Sequence, residues 1–379
     1  MMKETIAINA HGSDSWIGGV YYRKNVLFSL LQNDYITKHY NIIVFANNRT
    51  ADVYRVFSRY CRIYIEKDNK TIIDKILKFL LYKTHRITYS FPSDNYTDHS
   101  VVDHEIYWIA DFQHHFLPHF FSEQDIDLRI RKERYIEKSN SALVLSSNTA
   151  LCEFNSLYNK KNTYVVPFVS FIEDEINNIS LEIENKVLES ISTEKNNYAV
   201  IMNQFWQHKN HIVVFEAIKH FLENHPDTSF KFVFTGKMED YRNPKYINRL
   251  KEIALDPLVS SHISILGFID RKEQIALMKN AAFVIQPSLF EGWGTVVEDA
   301  KVLDKTVLLS DIPVHKEQKN DKCILFDPHD SVLLANLIYE ESQKKHHDNI
   351  QNGIEDMYKR AKDYSKGFET LLKDLNKKE

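Results

Sequence analysis

The stretch from Ser288 to Ala300, "SLFEGWGTVVEDA", sets one carboxylate, Glu291, ahead of a glycine-spaced turn at Gly292 and Gly294. Two adjacent carboxylates, Glu298 and Asp299, follow that turn. Helical phase separates the later pair. A helix beginning near Thr295 advances roughly 100° per residue and brings Val296, Ala300 and Leu303 to one face, the one expected to pack on a sheet. Asp299 then lies about 60° from Val296, at the border of that face, and Glu298 roughly 160° away on the side expected to meet water. Phase therefore selects Asp299 as the working acid.

A second charge stands in "YAVIMNQFWQHKNHIVVFEAI" (198–218), which reads as strand, polar turn and helix. Lys209 falls at the helix start, where unpaired N–H groups and the helix dipole already favour an anion, so a bound phosphate would explain a cation there. A solvated surface lysine is the plainer reading. Near the other end, "HGSDSWIGGVYY" follows "IAINA", and Gly18 and Gly19 at a helix start would let backbone approach a phosphate or sugar closely. Two such turns facing one cleft would make a diphosphate site.

"WIADFQHHFLPHFF" (108–121) groups Asp111, His114, His115 and His119 just past a strand. No wider ligand set accompanies them, so metal binding is not expected and structural histidines are the simpler reading. Asp125-Ile126-Asp127 spells D-x-D, but Ser122 and Asp125 look like a capping box for a charged helix. G-x-x-x-x-G-K and G-x-G-x-x-G are both missing, so nucleoside-triphosphatase and dinucleotide readings lack their fingerprints.

The elements that must position these residues alternate. "TIAIN" (5–9), "NIIVFA" (41–46), "CRIYI" (61–65), "IYWIA" (106–110) and "ALVLSS" (142–147) read as apolar strands with helices between them. After "TYVVPF" (163–168) comes an acidic stretch, 171–197, expected to connect two domains and to contain a helix. Strands resume with "YAVIM" (198–202), "FKFVFTG" (230–236), "ISILGF" (263–268), "AAFVIQ" (281–286) and "TVLLS" (306–310). The fold class is α/β: two doubly wound Rossmann-like domains facing an interdomain cleft, with ligands expected at the carboxyl ends of strands. The expected divisions are 1–170, the connection 171–197, a second domain 198–360, and a C-terminal helix 361–379 packing back on the first domain.

At 379 residues the chain exceeds the size at which one core stops growing, which also favours two domains. A net charge of −4 argues against a general nucleic-acid binder, and three scattered cysteines show no metal-ligand spacing. With neither a signal-peptide pattern nor a spanning apolar run, a cytoplasmic location is expected. Residues 70–86, "KTIIDKILKFLLYKTHR", carry Ile72, Ile73, Ile76, Leu77, Leu80 and Leu81 at helical spacing among Lys70, Lys75, Lys78, Lys83 and Arg86. An amphipathic helix packed on the first sheet is the plainer reading; a helix on anionic lipid, at the inner face of the cytoplasmic membrane, is the sharper one.

"QPSLFEGWGTVVEDAKVLDKTVLLSDIPVHKEQ" (286–318) resembles the donor-site region of family-4 retaining glycosyltransferases of the GT-B fold, which carry a Glu-x7-Glu element around a glycine-spaced turn. "NQFWQHKNH" (203–211) and "WIADFQHHFLPHFF" resemble the phosphate-lysine and cleft-histidine segments of a bacterial branch that builds O-antigen, capsule or other surface polysaccharides. The resemblance implies that Glu291 holds hydroxyls of the donor sugar, that Asp299, in place of the usual glutamate, accepts from the nucleotide ribose, and that Lys209 pairs with the diphosphate. Gln204 stands where an arginine often accompanies that lysine, and His114 best matches the cleft histidine, with His115 and Asp111 as alternatives. Gly18, Gly19, Gly292, Gly294 and Thr295 complete the expected donor site, with backbone N–H groups around Gly294 and Thr295 supporting the leaving group. A metal-independent hexosyltransferase-type enzyme follows, with no cofactor beyond its nucleotide-sugar substrate and a glycan or lipid-linked oligosaccharide as acceptor. The alternatives are a sugar-nucleotide epimerase or phosphorylase on the same plan, and a non-catalytic scaffold.

Overall fold

The computed structural model describes residues 3–12, 17–67, 72–93, 102–240 and 242–377, without the side chains of 73–75. Residues 13–16 of the first turn, Lys70, and the side chains of Ile73, Asp74 and Lys75 thus lie outside the described residues.

The first sheet contains β1 (Glu4–Asn9), β2 (Tyr40–Asn47), β3 (Arg62–Glu66), β4 (Ile87–Phe91), β5 (His104–Ile109), β6 (Ala142–Leu145) and β7 (Thr163–Val165). Its order is β3-β2-β1-β4-β5-β6-β7. The second contains β8 (Tyr198–Met202), β9 (Lys231–Thr235), β10 (Ile263–Ile265), β11 (Phe283–Gln286), β12 (Thr306–Ser310) and β13 (Cys323–Phe326) in the order β10-β9-β8-β11-β12-β13. The described pairings are all parallel. Continuous apolar strands need cover on both faces, and β8 and β11 are buried along their whole length. In the second sheet the winding direction reverses between β8 and β11, so the loops leaving these two strands flank a topological switch point.

Two strands escape the periodicity reading. In β4, "ITYSF", Thr88 and Ser90 break the apolar run, although all five residues are buried. In β13, "CILF", four residues form a half-exposed edge. Both are too short or too polar to signal themselves without their neighbours.

The chain divides into two compact units: Met1–Phe112 with Asp127–Phe171 and Met357–Glu379, and Gln113–Ile126 with Ile172–Asp356. Residues 171–197 are more than a connection. Most of them belong to the second unit and form the helices Glu173–Asn177 and Leu181–Ser190. They pair with the helix Arg271–Asn280: Lys279 donates to Glu184 at 2.6 Å, and Lys186 to Glu273 at 2.6 Å. The D-x-D is a helix cap, since Ser122 Oγ accepts from Asp125 N at 3.1 Å and donates to Asp125 Oδ2 at 2.7 Å.

Gly236, just past β9, has φ +111°, and a Cβ there would lie 2.2 Å from the carbonyl oxygen of Asn203 past β8. Only glycine lets those strand ends approach so closely. Gly236→Ala is expected to cost at least about 2 kcal/mol, read as a lower urea midpoint with an unchanged slope.

Candidate active site at the second switch point

After β8 the chain makes one 3-10 turn, Gln207–Lys209, before the helix His211–Asn224. Lys209 therefore stands just outside the helix rather than in its first turn. Asn210 between them adopts the left-handed conformation, φ 56° and ψ 37°, which asparagine tolerates better than most residues. Its buried amide donates to the carbonyls of Pro287 at 3.1 Å and Pro328 at 2.8 Å. Leu289 N donates to His208 O at 2.8 Å, so the loops after β8 and β11 are stitched by backbone as well as side chain.

The result is a convergence on Glu291. Its Oε1 accepts from Lys209 Nζ at 2.5 Å, Ser288 Oγ at 2.8 Å and Gln286 Nε2 at 3.0 Å. Gln286 is itself oriented by Asn203 Nδ2, which donates to its Oε1 at 2.9 Å. Burial alone would raise the Glu291 pKa. The Lys209 charge and hydrogen bond and the Ser288 hydroxyl together outweigh it and hold the carboxyl below its ordinary value. Among the described residues none donates to Oε2, which leaves that oxygen for hydroxyls of a ligand.

The helix after the turn does begin at Thr295, spanning Thr295–Val302, but its faces differ from the phase reading. Val296 is only half-buried, whereas every residue from Val297 to Val302 is buried. Glu298, expected to meet water, is fully buried: Lys301 Nζ donates to it at 3.0 Å and Gln318 Nε2 at 2.9 Å. The phase argument assumed one wet side, and this helix has none over those six residues. Asp299 lies on the Thr295–Val296 side and is held by a bidentate guanidinium, Arg271 Nη2 to Oδ1 at 2.6 Å and Nη1 to Oδ2 at 2.8 Å. Arg271 Nη1 also donates to Gln274 at 2.7 Å.

Gln318 corrects a second expectation. Its amide accepts from Gly294 N at 3.0 Å and donates to Gly294 O at 2.8 Å, so the Gly294 N–H is already engaged within the protein. A Cβ at Gly294 would meet Gln318 Oε1 at 3.1 Å, so glycine here admits the glutamine. Gly292 and Thr295 are half-buried. The N–H groups of Thr295 and Val296 have no described acceptor and open the helix N-terminus.

His114 is buried in the short helix Gln113–Phe116, its ring centroid 4.3 Å from that of His115 and 6.2 Å from that of Phe121. Its segment reaches both loops: Phe116 stacks on Phe290 at 5.9 Å, and Phe120 meets His208 at 6.4 Å. His114, Gln204, Lys209, Glu291, Gly292, Gly294, Thr295 and Asp299 all belong to the second unit, and Gly18 and Gly19 to the first. Gly18 is the second residue of the helix Ile17–Leu31, and among the described residues no atom beyond its chain neighbours and its own helix backbone lies within 4 Å of where its Cβ would be.

Gln204 accepts from Lys237 N at 3.0 Å and serves the loop after β9. The guanidinium near this loop is instead Arg242, ion-paired to Asp240 at 2.9 Å and 5.1 Å from the Trp206 ring centroid. Asp240 in turn accepts from Gln207 N at 3.2 Å. Arg242 and Arg271 had no motif to announce them, whereas Asn203, Gln286, Ser288, His315 and Gln318 stand inside the stretches already singled out.

Histidines around the pair stay neutral. Burial pushes His211 down to about 3 and His315 to about 4, Lys209 adding to the shift in both, and it lowers His208 similarly with help from Lys209 and Arg242. In the unfolded chain histidine takes a proton near 6.5, so below that pH the unfolded state binds more protons and stability falls as pH falls, down to the folded values. Each such histidine contributes a slope of up to about 1.4 kcal/mol per pH unit, and His211→Leu is expected to flatten the urea-measured loss between pH 6 and 4 by about that amount. Glu298→Ala, which strands Lys301 in the interior, is expected to cost about 3 kcal/mol, with Glu298→Gln milder in the same titration.

Residues 183–356 match the family described as "Glycosyl transferases group 1". Similar solved structures include a glycosyltransferase from Rickettsia africae ESF-5, with TM-score 0.62 and 16% identity over 99% of this chain and 97% of that one. HepE of Anabaena, in complex with UDP and glucose, gives TM-score 0.62 and 14% identity over 99% of both chains. Sucrose-phosphate synthase from Thermosynechococcus elongatus gives 0.57 and 13%, over 99% of this chain and 98% of that one. No curated protein matches the chain by sequence. The matched residues, just under half of the chain, lie within the second unit, and the chain is a glycosyltransferase of the GT-B fold.

Proposed function

We propose that the chain moves a sugar from a nucleotide-sugar donor to a glycan or lipid-linked acceptor with retention of configuration. In this reading it is a family-4 enzyme of bacterial O-antigen, capsule or other surface polysaccharide synthesis. The observation that carries the reading is the Lys209–Glu291 pair between adjacent parallel strand ends, with one carboxylate oxygen committed to protein donors and the other open. The complex of HepE with UDP and glucose supports a nucleotide sugar as donor.

In the reaction, the bond between the anomeric carbon and a phosphate oxygen breaks, leaving charge on the nucleoside diphosphate and an oxocarbenium-like sugar. Lys209 and the N–H groups of Thr295 and Val296 are placed to stabilise that charge, as preorganised donors do in a site shielded from water. Glu291, kept ionised, accepts from sugar hydroxyls through Oε2. The acceptor oxygen attacks from the same face and its proton passes to the departing phosphate. His114 is assigned to the reacting sugar. Asp299 is assigned to the ribose: each oxygen bonded to Arg271 retains a lone pair, and the short side chain leaves the arginine its place.

Lys209→Ala is expected to lower kcat/KM by about a hundredfold, the scale for losing one preorganised charge partner. Arg271→Ala and Asp299→Ala are expected to raise the donor KM about tenfold with smaller changes in kcat. His114→Ala should lower kcat while nucleoside diphosphate affinity stays near wild type. Transfer is expected to persist in EDTA. A thermal-shift panel of nucleotide sugars identifies the donor, since ligand binding raises apparent stability by mass action. Failure of every nucleotide sugar to stabilise the protein, or full activity in Lys209→Ala, overturns the assignment.

A further inference from the structure

The helix Ile72–Thr84 carries two apolar faces and uses one. On the used face Tyr82 is buried and, with Leu81, packs on Ala7, Ile43, Phe45, Tyr64 and Ile87. Lys78 shares it, with its ammonium 5.3 Å from the Phe45 ring centroid and 3.2 Å from Glu66 on β3. The other face holds Ile72, 78% exposed, Ile76, 53%, and Leu80, 52%, with Leu77 and Phe79 alongside. Residues four apart stack along a helix, so 72, 76 and 80 form a continuous stripe. Scattered exposed apolar side chains are ordinary, but five large ones on a single thirteen-residue helix form a surface.

Charge says what covers it. The chain carries −4 overall, yet residues 62–86 hold seven lysines and arginines against three acids. Arg62, Lys67, Lys83 and Arg86 among them are exposed, and so is Ile65 of β3. Lys83 extends its ammonium to 5.7 Å from the Phe79 ring centroid, so its stem lies along the apolar surface while its head stays in water. A stripe of isoleucine, leucine and phenylalanine bordered by cations matches the boundary between acyl chains and anionic headgroups. No helix among the described residues is long and apolar enough to cross a membrane, so contact lies in the plane of the surface.

We propose that the helix Ile72–Thr84 docks the protein on an anionic lipid surface through Ile72, Ile76, Phe79 and Leu80, with the flanking lysines and arginines on the headgroups. The inference is independent of the donor assignment.

Co-sedimentation of the full chain with vesicles tests it, comparing phosphatidylglycerol/phosphatidylethanolamine with pure phosphatidylcholine at low salt. Wild type is expected to pellet with the anionic vesicles and to be released by high salt. Ile76→Asn with Leu80→Asn should lower the partition at least tenfold, and Lys83→Glu about fivefold or more. Both changes lie on exposed positions, so nucleotide-sugar turnover on a soluble acceptor should hold. Equal pelleting with both lipids, or pelleting unaffected by the paired asparagines, overturns the proposal. A concentration-dependent dimer in sedimentation velocity that the asparagine pair dissolves would overturn it in favour of a second copy of the chain.

Discussion

A lysine ammonium and a glutamate carboxylate, both largely withdrawn from water, meet where two strands distant in sequence run side by side. Each ion alone would be costly to hold there, and their attraction offsets the loss of solvent only with further hydrogen bonds. Ser288 and Gln286 supply them, and Asn203 fixes Gln286. The surrounding features keep that meeting point fixed. Asn210 ties three loops together, Gly236 lets the neighbouring strand end come close, and buried neutral histidines add no competing charge.

A second layer of charge stands behind the first. Glu298–Lys301 and Asp299–Arg271 issue from adjacent residues of one short helix yet serve different neighbours. The first pair joins Gln318 and braces the turn at Gly294. The second presents a carboxylate already oriented by a planar fork, a geometry lysine would not reproduce. Adjacent acids that look interchangeable in sequence therefore separate into one bracing the turn and one assigned to the ligand.

Much of this was legible from residue order. Alternating apolar runs and helical patterns announced two parallel sheets, and the start of the helix at Thr295 followed from the glycine-spaced turn. The environment of that helix was not legible. Periodicity reports an apolar side only when another side is wet, and residues 297–302 have no wet side. Arg271 was invisible for a different cause: its partner lies on another helix, and no local pattern marks a residue whose purpose is a distant contact. Gln204 carries a contact that the resemblance did not announce: its amide oxygen holds the loop at Lys237.

The first compact unit takes in Met357–Glu379, the last part of the chain. Gly367 lies so close to β7 that a Cβ would sit 2.2 Å from Val165 O, Phe368 packs on Phe91, and Asn33 donates to Ser365 and Glu369 at 3.0 Å each. On the ribosome, residues up to 171 emerge without this cover. At about 5–20 residues per second, roughly ten to forty seconds pass before the closing helix is made. Until then Phe91 lacks the Phe368 ring, and the Asn33 amide lacks its two acceptors at Ser365 and Glu369. Covering of the first sheet by that helix is therefore a late event in synthesis, and residues 172–356 are made while its seven strands wait for it.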